Sequence, residues 1–171
     1  MKFKSEISLF FFLIAWSITS PCLAGQDTQR VEHFLKGEFR GGLSWDSISA
    51  METGVLKFGG TAGLFVANGI EVGIEQQFIV PPNSGTEQRS WSYIRYVPFP
   101  NWPIVPFVSA RAGFYVVQER DMAAVSAGVG AVMFIDSHFA FEATLFTQSV
   151  MSSRGLSDQQ TEFDWRLVLY Y

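Results

Sequence analysis

Apolar and polar residues alternate with a period of two in eight successive stretches of this chain, the pattern of β-strands with one face in an apolar medium. In the first, Leu35, Gly37, Phe39, Gly41, Leu43 and Trp45 share one face, and Lys36, Glu38, Arg40, Gly42 and Ser44 the other. In the second, Leu56, Phe58, Gly60, Ala62, Leu64 and Val66 oppose Val55, Lys57, Gly59, Thr61 and Gly63. The third sets Ile70, Val72, Ile74 and Phe78 against Glu71, Gly73, Glu75 and Gln77. The fourth and fifth, interrupted by prolines, are Trp91–Val97, with Tyr93 and Arg95 on its polar face, and Pro106–Tyr115, with Ser109, Arg111 and Gly113. The sixth is Ala124–Phe134 and the seventh Phe139–Gln148, which carries Glu142. The last, Thr161–Tyr171, sets Phe163, Trp165, Leu167, Leu169 and Tyr171 against Glu162, Asp164 and Arg166.

The connections alternate in length. Asn68-Gly69, Pro98–Pro103 and Ile135–His138 are short, and the first carries a hairpin signal. Asp46–Thr53, Val80–Ser90, Val116–Ala123 and Ser149–Gln160 are longer and more polar. Short turns at one rim and longer loops at the other predict an all-β, eight-stranded antiparallel up-and-down transmembrane barrel, its loops facing outward.

The N-terminus stands apart from this pattern. Lys2 and Lys4, the apolar run Ile7–Ile18 and the small-residue exit Ser20–Ala24 form the three regions of a secretory signal peptide, with cleavage expected after Ala24. The run is too short for the ~20 residues of a spanning helix. Residues 1–24 are therefore expected to leave, and 25–171 to form one outer-membrane barrel domain. The single cysteine, Cys22, would leave with the signal. A formal charge of −4 gives no electrostatic footprint for nucleic acid.

A secreted lipocalin-like carrier is the rival architecture, with the same alternation and its faces reversed. Three features favour the membrane barrel. Glycines crowd the polar faces, where they make room inside a narrow barrel. The charges on those faces balance: Lys36, Arg40, Lys57, Arg95, Arg111 and Arg166 can meet Glu38, Glu71, Glu75, Glu142, Glu162 and Asp164 in an enclosed network. Aromatics such as Trp45, Phe78, Tyr96, Phe139 and Tyr171 mark the ends of the apolar faces, as at membrane interfaces.

With its signal peptide, eight alternating segments and closing strand, the chain resembles the outer-membrane β-barrel domain family. That group includes the transmembrane domain of outer-membrane protein A and the opacity-type surface proteins. The resemblance implies that Phe163, Trp165, Leu167, Leu169 and Tyr171 form a C-terminal signal read by the barrel-assembly machinery. It also implies an outer-membrane location, with lipid and lipopolysaccharide as surroundings.

Candidate chemistry is sparse. His33 and His138 are far apart in sequence and make no metal-ligand set, so neither metal nor cofactor is expected. Lipid-A-modifying enzymes share this architecture, but no His-x-Ser pair stands late in the barrel. The nearest triad-like cluster is Ser137-His138 with Glu142, and a turn histidine is more often solvated than catalytic. Eight strands enclose a space that side chains fill, so no wide pore is expected. The reading is a monomeric structural or surface-interaction barrel, not an enzyme, with a lipid-A-directed enzyme as the alternative.

Overall fold

The computed structural model of the protein describes residues 33–46, 54–82, 85–117, 120–152 and 155–171. The signal-peptide reading of residues 1–24, and residues 47–53 of the first long connection, lie outside them. Eight strands follow in chain order: β1 Phe39–Asp46, β2 Leu56–Ala67, β3 Ile70–Val80, β4 Glu87–Tyr96, β5 Val105–Val117, β6 Arg120–Phe134, β7 Phe139–Ser152 and β8 Gly155–Tyr170. Each pairs antiparallel with the next, and β8 pairs with β1 to close the barrel. The closing seam runs from Arg40 opposite Tyr170 to Ser44 opposite Arg166. Closure leaves no edge strand among the described residues, the condition for a strand structure to stand in hydrocarbon.

Alternation assigns the two faces. Leu43 and Ile74 point outward and are each 66% exposed, while their chain neighbours Ser44 and Glu75 are buried inside. The polar faces read from the sequence line the lumen; the apolar faces form the outer wall. One turn shows how backbone freedom is used. At Asn68-Gly69 only the glycine adopts a left-handed conformation (φ +73°), and the register shifts between Phe65 and Ala67 just before it.

Several strand boundaries depart from the sequence reading. β1 starts at Phe39, because the chain folds back at Phe34 (φ +73°) and Gly37 (φ +95°). Residues 33–38 lie across the barrel end that carries the Asn68 turn, here termed the terminal end. The Gly37 amide donates to the Phe65 carbonyl and the Gly69 amide to the Phe34 carbonyl. Phe34 thereby packs with Phe65, Phe134 and Tyr170. At the opposite, loop end, β4 reaches up to Glu87, and β7 and β8 continue to Ser152 and Gly155. β5 and β6 likewise run to Val117 and from Arg120, so three of the expected long loops, Val80–Ser90, Val116–Ala123 and Ser149–Gln160, are shortened between longer strands.

Candidate functional site

Among the described residues, buried polar chemistry is concentrated in the lumen, which is built in layers. Its terminal end is apolar: Phe34, Phe65, Val97, Val105, Phe107, Val132, Ala140, Val168 and Tyr170 form a buried cluster.

Above that floor lies an ionic layer centred on two carboxylates. Arg40 donates to Glu71 (3.0 Å) and to Glu142 (2.6 Å), and its Nη1 also reaches the Tyr93 hydroxyl (3.1 Å). Arg95 grips Glu142 with both terminal nitrogens, at 2.9 and 2.6 Å, and its guanidinium lies over the Phe107 ring. Arg40, Glu71 and Glu142 are wholly buried. Bidentate, charge-assisted bonds of this kind offset the desolvation of groups that no water reaches. Glycine makes room for them: a Cβ at Gly63 would overlap the Glu71 carboxylate and the Tyr93 hydroxyl.

The middle layer joins strands from opposite walls. Arg166 donates to Glu75 (2.7 Å) and to Asp164 (3.0 Å), and Arg111 meets Glu75 at 3.3 Å. The Arg111 guanidinium also lies 3.7 Å from the Phe146 centroid and 4.5 Å from Trp91. Gln77 bridges the Glu75 and Asp164 carboxylates. Toward the loop end, Lys57 lies 3.3 Å from Glu162 and 3.5 Å from Asp164, and Arg89 donates to Glu162 (2.7 Å) and to Glu87. Gln148 accepts from Tyr115 and donates to Glu162.

Ten of the expected lumen residues meet in these layers: Arg40, Lys57, Glu71, Glu75, Arg95, Arg111, Glu142, Glu162, Asp164 and Arg166. Lys36 and Glu38 do not. Lys36 is exposed, its amide donating to the Asn68 side chain. Glu38 pairs with His33 at 2.7 Å and accepts the Phe34 and Leu35 amides. The reason is the reversal at Gly37, which ends strand alternation before Phe39. Arg89 and Glu87 take their places, so the enclosed charges still balance. The sequence pattern assigns both to the polar connection Val80–Ser90, and only the parity of Arg89 with Tyr93 and Arg95 marks it as inward-facing.

The expected C-terminal set lies on one face of β8. Leu167 and Tyr171 are exposed, Phe163 packs edge-on to Trp165, and Trp165 meets Phe141 of β7. The triad-like residues are separated by role. Ser137 and His138 share a 2.8 Å hydrogen bond in an exposed turn, whereas both Glu142 oxygens are held by arginines in the lumen. Asp136 organises that turn. It accepts the His138 and Phe139 amides at 2.7 and 2.8 Å, which holds its carboxyl below the usual aspartate range. Among the described residues, no group of three or more His, Cys, Asp or Glu side chains is placed to hold a metal ion.

No protein-family model matches the sequence, and no curated relative does. Solved structures do match in shape. The N-terminal β-barrel domain of Pseudomonas aeruginosa OprF aligns with TM-score 0.63 at 14% identity, over 80% of this chain and 98% of that one. Neisserial surface protein A aligns with TM-score 0.55 at 6% identity, over 78% and 94%. The outer membrane protein OprG from Pseudomonas aeruginosa gives 0.50 at 13% identity, over 82% and 98%. At these identities the likeness is one of architecture, and it agrees with the charged lumen and apolar wall: the chain has the fold of the small outer-membrane β-barrels.

Proposed function

We infer that the protein is a monomeric integral barrel of a Gram-negative-type outer membrane, with a structural or surface-interaction role carried by its wall and its loop end. The observation that carries this reading is the inverted polarity of a closed barrel: buried ion pairs inside and large exposed apolar side chains outside. An exposed apolar wall of this kind is a liability in water and a requirement in lipid. The paired lumen supports a body rather than a conduit, since buried arginines and carboxylates join across it from Arg40 near the floor to Arg89 toward the loop end. The outward residues of β8, ending at Tyr171, supply the pattern that an assembly machinery reads during insertion. In this reading the loop end faces outward and the chain termini face the periplasm.

Lipid A profiling of a deletion strain tests the functional part. An unchanged acyl pattern with altered envelope integrity or surface adhesion supports the reading. A changed acyl pattern, restored by the wild-type gene, would make the protein a lipid-A-directed enzyme instead.

A further inference from the structure

The turn between β4 and β5 carries two bulky aromatic side chains that the barrel leaves exposed. The Phe99 and Trp102 rings are stacked, with centroids 4.6 Å apart and planes 11° from parallel, and remain 48% and 56% exposed. The Trp102 amide donates to the Phe99 carbonyl at 3.3 Å, which closes the turn between them. Pro98, Pro100 and Pro103 each fix their own φ, so presenting the pair costs little further conformational entropy.

The position of the turn is fixed by its neighbours. The Val97 amide donates to the Gly69 carbonyl at 2.8 Å, so the turn stands at the terminal end, beside the Asn68 turn. Outward Tyr96 of β4 pairs with outward Val108 of β5, and the two are 50% and 47% exposed. Residues 96–110 contain no charged side chain. The chain thus carries the apolar surface of the wall on into an uncharged turn. The other two turns at this end differ: Asn68-Gly69 has no aromatic, and the β6–β7 turn sets exposed Asp136 and His138 beside exposed Ile135. Backbone groups of an irregular turn need water or headgroup partners and do not enter bare hydrocarbon. Half-exposed aromatic rings gain by leaving water, and tryptophan joins an apolar body to an indole N–H donor. The layer that satisfies both is the membrane–water interface.

We propose that the β4–β5 turn is a one-sided membrane foot: Phe99 and Trp102 insert among the headgroups and ester carbonyls of glycerophospholipids in the periplasmic leaflet. The foot pins the depth of the barrel on its β4–β5 side. It rests on the membrane reading above and goes beyond it, since that reading alone would leave this turn in periplasmic water. The occupant is lipid rather than a periplasmic protein, because the wall that runs into the turn already meets the bilayer at Tyr96 and Val108.

The test places a spin label in the turn of the refolded mature protein, in vesicles of phosphatidylethanolamine and phosphatidylglycerol. Asn101→Cys puts the label at an exposed position between the two aromatics in sequence, and Ser137→Cys puts one in the exposed β6–β7 turn for comparison. Relaxation by a nickel chelate carried on a lipid headgroup, and by a water-soluble nickel complex, is measured with each reagent on both faces of the membrane. The Asn101 label should respond more strongly to the lipid-borne chelate, and the Ser137 label to the water-soluble complex. Adding Phe99→Ser and Trp102→Ser to the Asn101→Cys variant should shift its label to the water-soluble response. An Asn101 label that responds as the Ser137 label does, or one that stays unmoved by the two serines, overturns the foot and leaves the aromatic pair free in the periplasm. Heat-dependent gel mobility shows that each variant forms the barrel, and the comparison of Asn101 with Ser137 stands even if the serine variant does not. Labels at Leu43 and Ile74 separate the two failures: shielded from water, they confine the failure to the foot; open to water, they overturn the membrane reading itself.

Discussion

Neighbouring residues of β8 live in opposite media, and their substitutions should differ accordingly. Leu167 faces outward, and Arg166 is buried among Glu75 and Asp164. Leu167→Arg places a charge in hydrocarbon, and should cost about 2–4 kcal/mol near the midplane. Arg166→Leu removes the arginine that Glu75 and Asp164 share, and should cost about 3–5 kcal/mol, as when one side of a buried pair is lost. Urea unfolding in lipid vesicles measures both. A neutral Leu167→Arg would place that side chain in water and reverse the two faces. The Asp136 carboxyl gives a pH-dependent counterpart at an exposed turn. Its lowered pKa means that its stabilisation is present above the ordinary aspartate value and lost as pH falls through the lowered one. Its carboxyl resonance should therefore titrate below that of free aspartate. A midpoint at or above the free value would mean that the two amide bonds do not form.

At the scale of elements, the terminal segment and the hairpins make separate claims. Phe34 covers the apolar floor of the lumen while holding a left-handed backbone conformation that bulky residues rarely adopt. Phe34→Ala should destabilise the barrel by about 3–5 kcal/mol, as for other large-to-small changes of a buried aromatic. Vesicle unfolding that matches the wild type would show that residues 33–38 do not close this end. Tags inserted at Asn68 should stay hidden from reagents added to intact cells, while a tag between Pro81 and Gly85 should label. Labelling at Asn68 would reverse the orientation.

The strands themselves were legible because one face meets hydrocarbon and the other meets charge, which writes the period directly into the sequence. Where both faces meet a polar medium, that signal fades. This is why the alternation of β8 begins at Thr161 although the strand begins at Gly155, and why Glu87 and Arg89 carry the pattern of a loop. The opposite error occurred at Leu35–Glu38, where alternation continues through residues that are not a strand. Gly37, with its positive φ, was the one local sign of the reversal. The lumen's pairing was legible only as a balance of charge; which arginine meets which carboxylate depends on how the register brings opposite walls together.

As a whole molecule, the barrel is a closed sheet whose inside and outside are exchanged relative to a water-soluble protein. Unboiled protein should migrate differently from boiled protein on a denaturing gel. The mature chain offers a direct probe of the exchange, because its only cysteine, Cys22, lies in the expected signal peptide. Single cysteines can then be placed at outward Leu43, Ile74, Val129 and Leu145, and each spin-labelled in lipid vesicles. Collision rates with oxygen and with a water-soluble nickel complex report the surrounding medium. All four labels should collide freely with oxygen and be shielded from the nickel complex. Ready access of the nickel complex to these outward positions would contradict the account, since the wall would then face water and the chain would be a soluble barrel.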